Sequence, residues 1–326
     1  MKRALITGGT GFLGRHLVAH LRKTEPETRL RLLCRVSAPA GHDDAIEIVR
    51  GDVTDGTSVL RAMDGVDVVY HLAGRVSQRP PDRRALFTIH VEGARNICAA
   101  AARCRPEKLV FVSTSGTMAV SRRPTVHDER AAYPYDLVSR WPYYVSKIFA
   151  EKLALSATAE HGLPTVIVNP TLVVGPDGGP ASTNAMLVPF LGRGLPAVPR
   201  GGVSLVDVRD VAAALPAAAL RGRTGERYLL TAANYTLREL ADLAGTPGRY
   251  LPSLPTPLVR DGARLLGLLP YAAQRALFDA RSIEMATYFW YADASKARTE
   301  LGFVPRDPAE TLAAAVRDLL HPALDR

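Results

Sequence analysis

A glycine-rich segment, residues 7–14 (TGGTGFLG), restricts the possible fold more than any other part of this 326-residue chain. It follows a short apolar run, Arg3–Thr7, and precedes a stretch of helical character. Gly8, Gly11 and Gly14 therefore stand at a predicted strand-to-helix turn, where glycine permits a tight turn and close approach of the backbone. A helix that begins there presents free N–H groups and a favourable dipole to an anion. The segment predicts a site for the pyrophosphate of a dinucleotide.

Strands and helices alternate through the first half of the sequence. The alternation favours right-handed β-α-β units and therefore an α/β fold with a doubly wound, parallel sheet of the Rossmann type. Gly162 is the expected C-cap of a long helix. The predicted strands are residues 3–7, 29–34, 45–49, 67–71, 108–113 and 164–169, and the two long predicted helices are residues 84–103 and 143–161.

The pattern changes after Pro170, where a cluster of glycine and proline begins. We expect residues 203–208 to form a strand that returns to the first sheet, and the chain from Asn234 onward to be mostly helical. Residues 1–174 and 203–233 are predicted to form the dinucleotide-binding domain. Residues 175–202 and 234–326 are predicted to form a smaller, mostly helical substrate lobe.

Composition excludes several classes of protein. The net charge is +9, but no run of five basic residues occurs, so a nucleic-acid partner is not favoured. Cys34, Cys98 and Cys104 form no CxxC pair, which disfavours a disulfide framework and a zinc site, and we predict no metal. The first apolar run is too short for a signal peptide, and residues 211–220 are too short for a membrane span. We therefore expect a cytoplasmic protein with reduced thiols and no inserted membrane segment.

The end of the second predicted strand bears on the choice between NAD and NADP. A site that prefers NAD places an acidic residue there to bind the ribose 2′-hydroxyl. This chain instead reads Leu32-Leu33-Cys34-Arg35. The guanidinium of Arg35 suits a 2′-phosphate, so NADP is favoured and NAD is the alternative. Arg35 could equally be a solvated loop residue.

Two further strand ends carry candidate cofactor residues. Asp52 could accept a hydrogen bond from the adenine amino group while Val53 packs on the ring, although Asp52 could instead cap a helix. His71 is expected to be a packed core histidine. The short residues after His71 would let a cofactor lie close to the backbone: Leu72, Ala73 and Gly74.

Tyr143 and Lys147 are four residues apart, so they lie on one face of the predicted helix. A nearby ammonium group lowers the pKa of a tyrosine, which would make Tyr143 a general acid or base near neutral pH. Tyr144 lacks such a partner, because Ile148 stands four residues after it. The alternative is an ordinary amphipathic helix with no catalytic role.

A third catalytic group is expected at the end of the strand at residues 108–113. Ser113, Thr114 and Ser115 all offer a hydroxyl at a carboxyl strand end, where ligands bind in open α/β sheets. One of them could donate a hydrogen bond to a substrate carbonyl. We predict that Ser115 has this role.

Together these motifs resemble the extended short-chain dehydrogenase/reductase superfamily, of the NAD-dependent epimerase/dehydratase type, over nearly the whole chain. The narrower resemblance is to the branch of dihydroflavonol-reductase-like proteins and hopanoid-associated sugar epimerases. The segments that carry the resemblance are TGGTGFLG, GDVTD, HLAG, FVSTSGT, YYVSKIFAEKLA, VNPTLVVGP and ASKARTELGFVP.

The resemblance implies a seven-stranded parallel sheet and a homodimer formed by the two long helices. It implies that Ser115 polarises a substrate carbonyl, that Tyr143 exchanges the proton and that Lys147 binds the nicotinamide ribose. Other implied cofactor residues are Phe12 and Leu13 in the glycine turn, and Pro170, Leu172 and Val173 beside the nicotinamide.

The chain departs from the family pattern at two places. His90 stands where the family often has asparagine, and VDVRDVA at residues 206–212 replaces a more acidic VHVDDVA. Neither change removes the Ser115, Tyr143 and Lys147 set.

Three functions remain open from the sequence. The first is an NADP-dependent reductase of a ketone or aldehyde on a small to medium, partly apolar substrate, suggested by Arg35 and the apolar residues 265–278. The second is a nucleotide-sugar epimerase with internally recycled NAD, in which Asn184 would hold a diphosphate. Dehydration is disfavoured, because Gly116 rather than an acid follows Ser115. The third is a redox-sensing binding protein, which would not need an intact catalytic set.

Overall fold

The computed structural model describes residues 2–35, 46–77, 80–179, 182–191, 197–244, 252–267 and 280–321. Numbered in chain order, its strands are β1 (Arg3–Thr7), β2 (Arg29–Cys34), β3 (Ile46–Arg50), β4 (Val68–His71), β5 (Lys108–Val112), β6 (Val126–His127), β7 (Thr165–Pro170), β8 (Leu172–Val174), β9 (Val198–Pro199), β10 (Gly202–Asp207), β11 (Arg227–Leu230), β12 (Ala233–Thr236), β13 (Ser253–Leu254) and β14 (Phe289–Ala292).

The described α-helices are α1 (Phe12–Thr24), α2 (Gly56–Met63), α3 (Arg83–Phe87), α4 (Gly93–Cys104), α5 (Tyr135–Val138), α6 (Pro142–His161), α7 (Val188–Leu191), α8 (Val208–Arg221), α9 (Leu237–Ala244), α10 (Thr256–Gly267), α11 (Ala280–Met285) and α12 (Pro308–Leu320). Within this part of the chain, no helix has both the length and the apolar character to cross a bilayer.

Seven parallel strands form the central sheet, in the order β11-β7-β5-β4-β1-β2-β3. Alternate residues of a strand face opposite sides of a sheet. Ala4 and Ile6 accordingly pack with α1 and α8, whereas Leu5 packs with α2, α4 and α6. Helices thus cover both faces, which explains why the inner strands are almost wholly apolar. The predicted α/β Rossmann fold is confirmed.

A second sheet lies beyond the central one. Strand β10 pairs with β8, β12 and β14, and β14 pairs with β6. Residues 203–208 were predicted to form a strand, and β10 confirms this, but β10 pairs within the second sheet and not with the central one. Strand β11 does pair in the central sheet, with β7. The C-terminal portion is mostly helical, with short strands that the sequence did not predict. Strands of two to four residues are too short to display a period of two.

The predicted helix at residues 84–103 is present, but it is not regular. Helices α3 and α4 flank a π-helical segment at Thr88–Glu92. The other long helix, α6, ends as predicted at Gly162, whose φ of +64° is the left-handed conformation that glycine adopts readily. The domain bounds given above stay a prediction.

Candidate active site

The predicted cofactor and catalytic residues lie along one edge of the central sheet. Pro170 ends β7, Thr114 follows β5, His71 ends β4 and Arg35 follows β2. From β1 the chain proceeds to β2 on one side, while β4 lies on the other side. Ligands of open α/β sheets bind where the strand order reverses in this way, which is between β1 and β4 here.

The glycine turn between β1 and α1 has the geometry that was expected. Gly8 has a φ of +74°, and a Cβ atom there would lie 2.8 Å from the backbone nitrogen of Ala73. A Cβ atom on Gly14 would lie 2.1 Å from the carbonyl oxygen of Gly8. Helix α1 begins after Gly11, which supplies no side-chain capping hydrogen bond. The first N–H groups of α1 therefore lack a side-chain acceptor, and the turn fits a pyrophosphate.

A loop at residues 175–179 lies against the start of α1. The guanidinium of Arg15 donates to the carbonyl oxygen of Asp177 (2.8 Å), and Nε2 of His16 lies 3.1 Å from that of Pro176. The ring of Phe12 contacts His16, with 5.5 Å between the centroids, whereas Leu13 packs against the core. Phe12 thus lies next to the predicted phosphate site, whereas Leu13 anchors the start of α1 to the hydrophobic core.

The predicted adenosine residues have different surroundings. Arg35 is exposed directly after β2. Oδ1 of Asp52 accepts hydrogen bonds from the backbone and hydroxyl of Thr54, each 2.9 Å, and it is Asp55 that caps α2. Val53 is buried, and its Cγ2 would lie 3.2 Å from a Cβ atom on Gly93. Val53 therefore has a packing role beneath α4, and its contact with adenine stays a prediction.

The segment after β4 is tied to the neighbouring strand. Nδ1 of His71 lies 2.8 Å from the hydroxyl of Thr7, which also accepts the backbone N–H of Ala73 (3.2 Å). His71 is buried, as expected for a core histidine. Leu72 and Ala73 are half-buried and Gly74 is exposed. The backbone of Leu72 and Ala73 borders the glycine turn, because it lies within 2.9 Å of where a Cβ atom on Gly8 would stand.

Tyr143 and Lys147 lie in the first turns of α6. Nζ of Lys147 donates to the carbonyl oxygen of Val112 (2.8 Å), and burial lowers the pKa of Lys147 to about 8. Burial raises the pKa of Tyr143 to about 12. The expected lowering was therefore wrong for this state, because the loss of hydration of the phenolate outweighs the attraction of an ammonium group that points to Val112.

Thr114 is the hydroxyl residue whose side chain acts on Tyr143. It lies near enough to lower the pKa of the Tyr143 phenol, against the larger effect of burial, and it accepts the N–H of Gly116 at 3.3 Å. Ser115, the residue predicted for this role, is buried at the start of a short 3₁₀ turn, where its carbonyl oxygen accepts the N–H groups of Met118 and Ala119. The catalytic role of Ser115 therefore stays a prediction, and Thr114 is a second candidate that the sequence also offered.

A buried chain of hydrogen bonds around His90 was not anticipated. The backbone N–H of Arg75 donates to Nε2 of His90 (3.1 Å), so Nδ1 is assigned the proton and donates to the hydroxyl of Ser146 (2.8 Å). Ser146 in turn donates to the carbonyl oxygen of Tyr143 (2.7 Å). Burial, with the positive charge of Lys147, lowers the pKa of His90 to about 2, so this imidazole is neutral. His90 thus links the segment after β4 to Tyr143.

Aromatic rings extend from Tyr143 toward the second sheet. The centroids of Tyr143 and Tyr144 are 5.0 Å apart, and those of Tyr144 and Trp290 are 4.9 Å apart. Trp141, fully buried, contacts Tyr288. A Cβ atom on Gly116 would lie 2.2 Å from Cε1 of Tyr144, so this position requires glycine. Most of the apolar segment at residues 265–278, from residue 268 onward, lies outside the described residues.

Asn184 and the VDVRDVA segment both make internal contacts. The side-chain amide of Asn184 donates to the carbonyl oxygen of Gly175 (2.7 Å) and to Asp318 (3.1 Å), and its oxygen accepts the N–H of Gly175 (3.1 Å). Asp207 caps α8 and pairs with Arg209 at 2.7 Å. The arginine that replaces the family's acid is therefore neutralised by its neighbour.

The family model for the NAD-dependent epimerase/dehydratase family matches residues 4–230. The chain belongs to this family. As an extended short-chain dehydrogenase/reductase it is an NAD(P)-dependent enzyme that acts on CH–OH or C=O groups. In the described part of this enzyme, no three His, Cys, Asp or Glu side chains are grouped so as to hold a metal ion.

Several known proteins resemble this family member over nearly their full length. A putative dihydroflavonol 4-reductase of Synechocystis is 34% identical, covering 97% of this chain and 93% of its own. Sterol demethylase protein B of Methylococcus capsulatus is 30% identical, covering 96% of each chain. The structure of Thermus thermophilus UDP-glucose 4-epimerase in complex with NAD has a TM-score of 0.72 at 21% identity, covering 99% of this chain and 100% of its own, and it supports the fold.

Proposed function

We propose that this enzyme is an NADPH-dependent reductase of a ketone or aldehyde on a small to medium, partly apolar substrate. The observation that carries the proposal is the buried phenol of Tyr143 beside Lys147 at the edge of the sheet, with the Thr114 side chain near enough to lower its pKa. Because the pKa of Tyr143 is raised to about 12, the phenol keeps its proton at neutral pH. A protonated phenol suits the role of an acid toward a carbonyl that is being reduced.

The residues of this chain would divide the work as follows. Bound NADPH would supply the hydride. The glycine turn and the start of α1 would hold its pyrophosphate, Lys147 its nicotinamide ribose, and Pro170, Leu172 and Val173 would adjoin its nicotinamide. Thr114 and Tyr143 would both donate hydrogen bonds to the substrate carbonyl oxygen, and Tyr143 would transfer its proton to that oxygen.

The assignment of Thr114 predicts a difference between two neighbouring variants. We expect Thr114→Val, which keeps the branched shape and removes the hydroxyl, to lower kcat for carbonyl reduction about 10²-fold or more. We expect Ser115→Ala to lower kcat less than about 10-fold, because the side chain that lowers the pKa of the Tyr143 phenol is that of Thr114. Steady-state kinetics with both variants would measure this, and the reverse order of effects would return the role to Ser115.

The aromatic rings next to Tyr143 support a partly apolar substrate. Tyr144 and Trp290 are half-buried, so their rings could form one wall of a substrate site. The two relatives described above are named for a dihydroflavonol and a sterol. We therefore propose that the reduced carbonyl belongs to a molecule that packs on flat rings.

The surroundings of Asn184 count against the nucleotide-sugar epimerase alternative. Its amide makes three hydrogen bonds within the protein and is buried, so it has no donor to offer to a diphosphate. Dehydration is not supported either. Dehydratases commonly have an acidic residue directly after the catalytic serine or threonine, and here Ser115 and Gly116 follow Thr114. A carbonyl reductase requires neither group.

Arg35 is the proposed determinant of the preference for NADPH. We expect Arg35→Asp to lower kcat/KM for NADPH at least about 10-fold and to lower it for NADH much less, because a carboxylate repels a 2′-phosphate and suits a free 2′-hydroxyl. Initial rates with both cofactors would measure the ratio. An unchanged ratio of NADPH to NADH would remove Arg35 from the cofactor site.

A panel of carbonyl compounds would test the proposed function. The purified enzyme would be incubated with NADPH and with ring-containing ketones, aliphatic ketones or aldehydes, and the absorbance of NADPH would be followed. Oxidation of NADPH with formation of the matching alcohol is expected. No oxidation with any member of the panel, together with interconversion of UDP-sugars, would support the epimerase instead.

We also propose a homodimer formed through the outer faces of α4 and α6. A groove of about 250 Å³ lies between these helices, lined by residues that include Cys98, Ala102 and Leu153, and Phe149 is exposed on α6. A cytoplasmic location is proposed as well, in keeping with the free thiols of Cys34, Cys98 and Cys104.

A further inference from the structure

Helix α6 carries a third charged residue on the face of Tyr143 and Lys147. Glu151 stands one turn after Lys147 and is completely buried. Buried carboxylates are rare unless they are paired or hydrogen-bonded. The roles proposed for Tyr143 and Lys147 do not use this group, so its presence at the base of the site requires an explanation.

Every described contact of the Glu151 carboxylate is with a donor. Oε2 accepts from the hydroxyl of Ser113 at 2.5 Å, from that of Thr117 at 3.0 Å and from the amide of Asn169 at 2.9 Å. Oε1 lies 3.3 Å from the hydroxyl of Tyr133 and 3.6 Å from the guanidinium of Arg227. Ser113 and Asn169 donate to Oε2, and the one hydroxyl proton of Thr117 is shared between Oε2 and the carbonyl oxygen of Thr114. These donors offset the cost of burying the carboxyl group.

The same donors hold the backbone of the catalytic threonine. The amide of Asn169 donates to the carbonyl oxygen of Thr114 (3.2 Å) as well as to Glu151. The hydroxyl of Thr117 lies 2.9 Å from that carbonyl oxygen and 3.0 Å from the Glu151 carboxylate. Glu151 is thus the acceptor around which the turn that carries Thr114 is arranged.

Of the groups that act on the pKa of Lys147, Glu151 is the one that supplies a negative charge. The imidazoles that face Lys147, His71 from the end of β4 and His90 from the π-helical segment, are both neutral because burial lowers their pKa values to about 3 and about 2. Tyr143 on α6 is a neutral phenol, and Arg227 approaches Glu151 rather than Lys147. Burial lowers the pKa of Lys147, and the negative charge of Glu151 is what raises it again.

We propose that Glu151 is a positioning residue of the active site: its buried carboxylate keeps Lys147 an ammonium ion and, through Asn169 and Thr117, fixes the backbone of Thr114. This inference rests on the proposed roles of Tyr143, Lys147 and Thr114. It assigns Glu151 an effect through those residues and no contact with substrate.

Direct titration of Lys147 tests the proposal without any substrate. The chain has only six lysines, so ¹³Cε-lysine labelling gives a simple NMR spectrum, and Lys147→Arg identifies the signal. In the unmodified enzyme we expect a midpoint near pH 8. In Glu151→Gln we expect the midpoint to fall by about 1 pH unit or more, a tenfold loss of proton affinity. Glu129→Gln is the control, because it removes a different carboxylate, one that is half-buried and has Lys296 as its nearby cation.

The outcomes separate this inference from the proposed function. An unchanged midpoint in Glu151→Gln, or a midpoint below about pH 6 in the unmodified enzyme, would overturn the role of Glu151. Glu151→Met removes the same charge and repeats the test if the glutamine variant does not fold. A lowered midpoint in an enzyme that reduces no carbonyl would support Glu151 while rejecting the reductase. In an active enzyme, the alkaline limb of kcat/KM moves to lower pH together with the NMR midpoint.

Discussion

Replacing Tyr143 by phenylalanine is expected to lower kcat for carbonyl reduction by about 10²–10⁴-fold, the range typical of a lost general acid. The variant keeps the ring, so its packing against Tyr144 and His90 is preserved. The affinity for NADPH should change little, because the phenol hydroxyl acts on the substrate carbonyl. Rapid-mixing measurements of hydride transfer, with cofactor affinity measured separately by fluorescence, would distinguish the two effects.

Tyr144→Phe is the matched control for this prediction. Tyr144 adjoins Tyr143 on the same helix, and burial raises the pKa of its phenol well above the usual range. We expect Tyr144→Phe, which removes only the hydroxyl, to lower kcat for carbonyl reduction less than about 10-fold. A Tyr143→Phe enzyme that retains its kcat would contradict the acid role of Tyr143.

Acid is expected to destabilise the fold through two buried histidines. Burial lowers the pKa of His71 to about 3 and that of His90 to about 2, whereas the unfolded chain titrates near 6.5. Below pH 6.5 the unfolded state therefore binds more protons than the folded state. Stability is full above that pH and falls as the pH decreases toward 3, with a slope that approaches about 1.4 kcal/mol per pH unit for each histidine.

Urea unfolding at pH values between 7 and 4.5 would measure this slope. His90→Asn keeps a polar side chain next to Ser146 and removes one titrating group, so we expect the slope to fall by about 1.4 kcal/mol per pH unit below pH 6. The same variant should be less stable at pH 7 by about 1–3 kcal/mol, because the contacts with Arg75 and Ser146 are altered. His321→Asn, an exposed position at the end of α12, is the control. A slope that is equal in wild type and His90→Asn would contradict the account of His90.

The fold was predictable where the pattern of residues is repeated and long. The alternation of apolar strands with helices fixed the parallel sheet, because such strands must be covered on both faces. The pairing of β10 could not be derived, since a strand of six residues with this mixture of apolar and polar side chains suits either sheet equally. The π-helical segment at Thr88–Glu92 was also beyond prediction, because one extra residue per turn leaves no periodic signal.

The candidate site divides in the same way. Gly8 and Gly14 were predictable because their roles depend on the backbone alone. The choice among Ser113, Thr114 and Ser115 stays a prediction, since the position of each hydroxyl depends on where β5 ends and how the next turn begins. The pKa of Tyr143 was predicted in the wrong direction, because charge on a neighbour is visible in a sequence and burial is not. His90 and Glu151 join residues that are far apart in the chain, so only the folded structure reveals their contacts.

Identification of the cofactor that the purified protein carries tests the central claim most directly. Samples would be taken before dialysis, after dialysis against cofactor-free buffer and after NADPH is added back and the excess removed. Each sample would be denatured, and any nicotinamide dinucleotide in the supernatant identified and counted by mass spectrometry. The reductase predicts a site that is emptied by dialysis and refilled by NADPH, because the oxidised cofactor must leave after each turnover. NAD held at near one per chain through dialysis would contradict the reductase, since a cofactor that is recycled within the site is the mark of an epimerase.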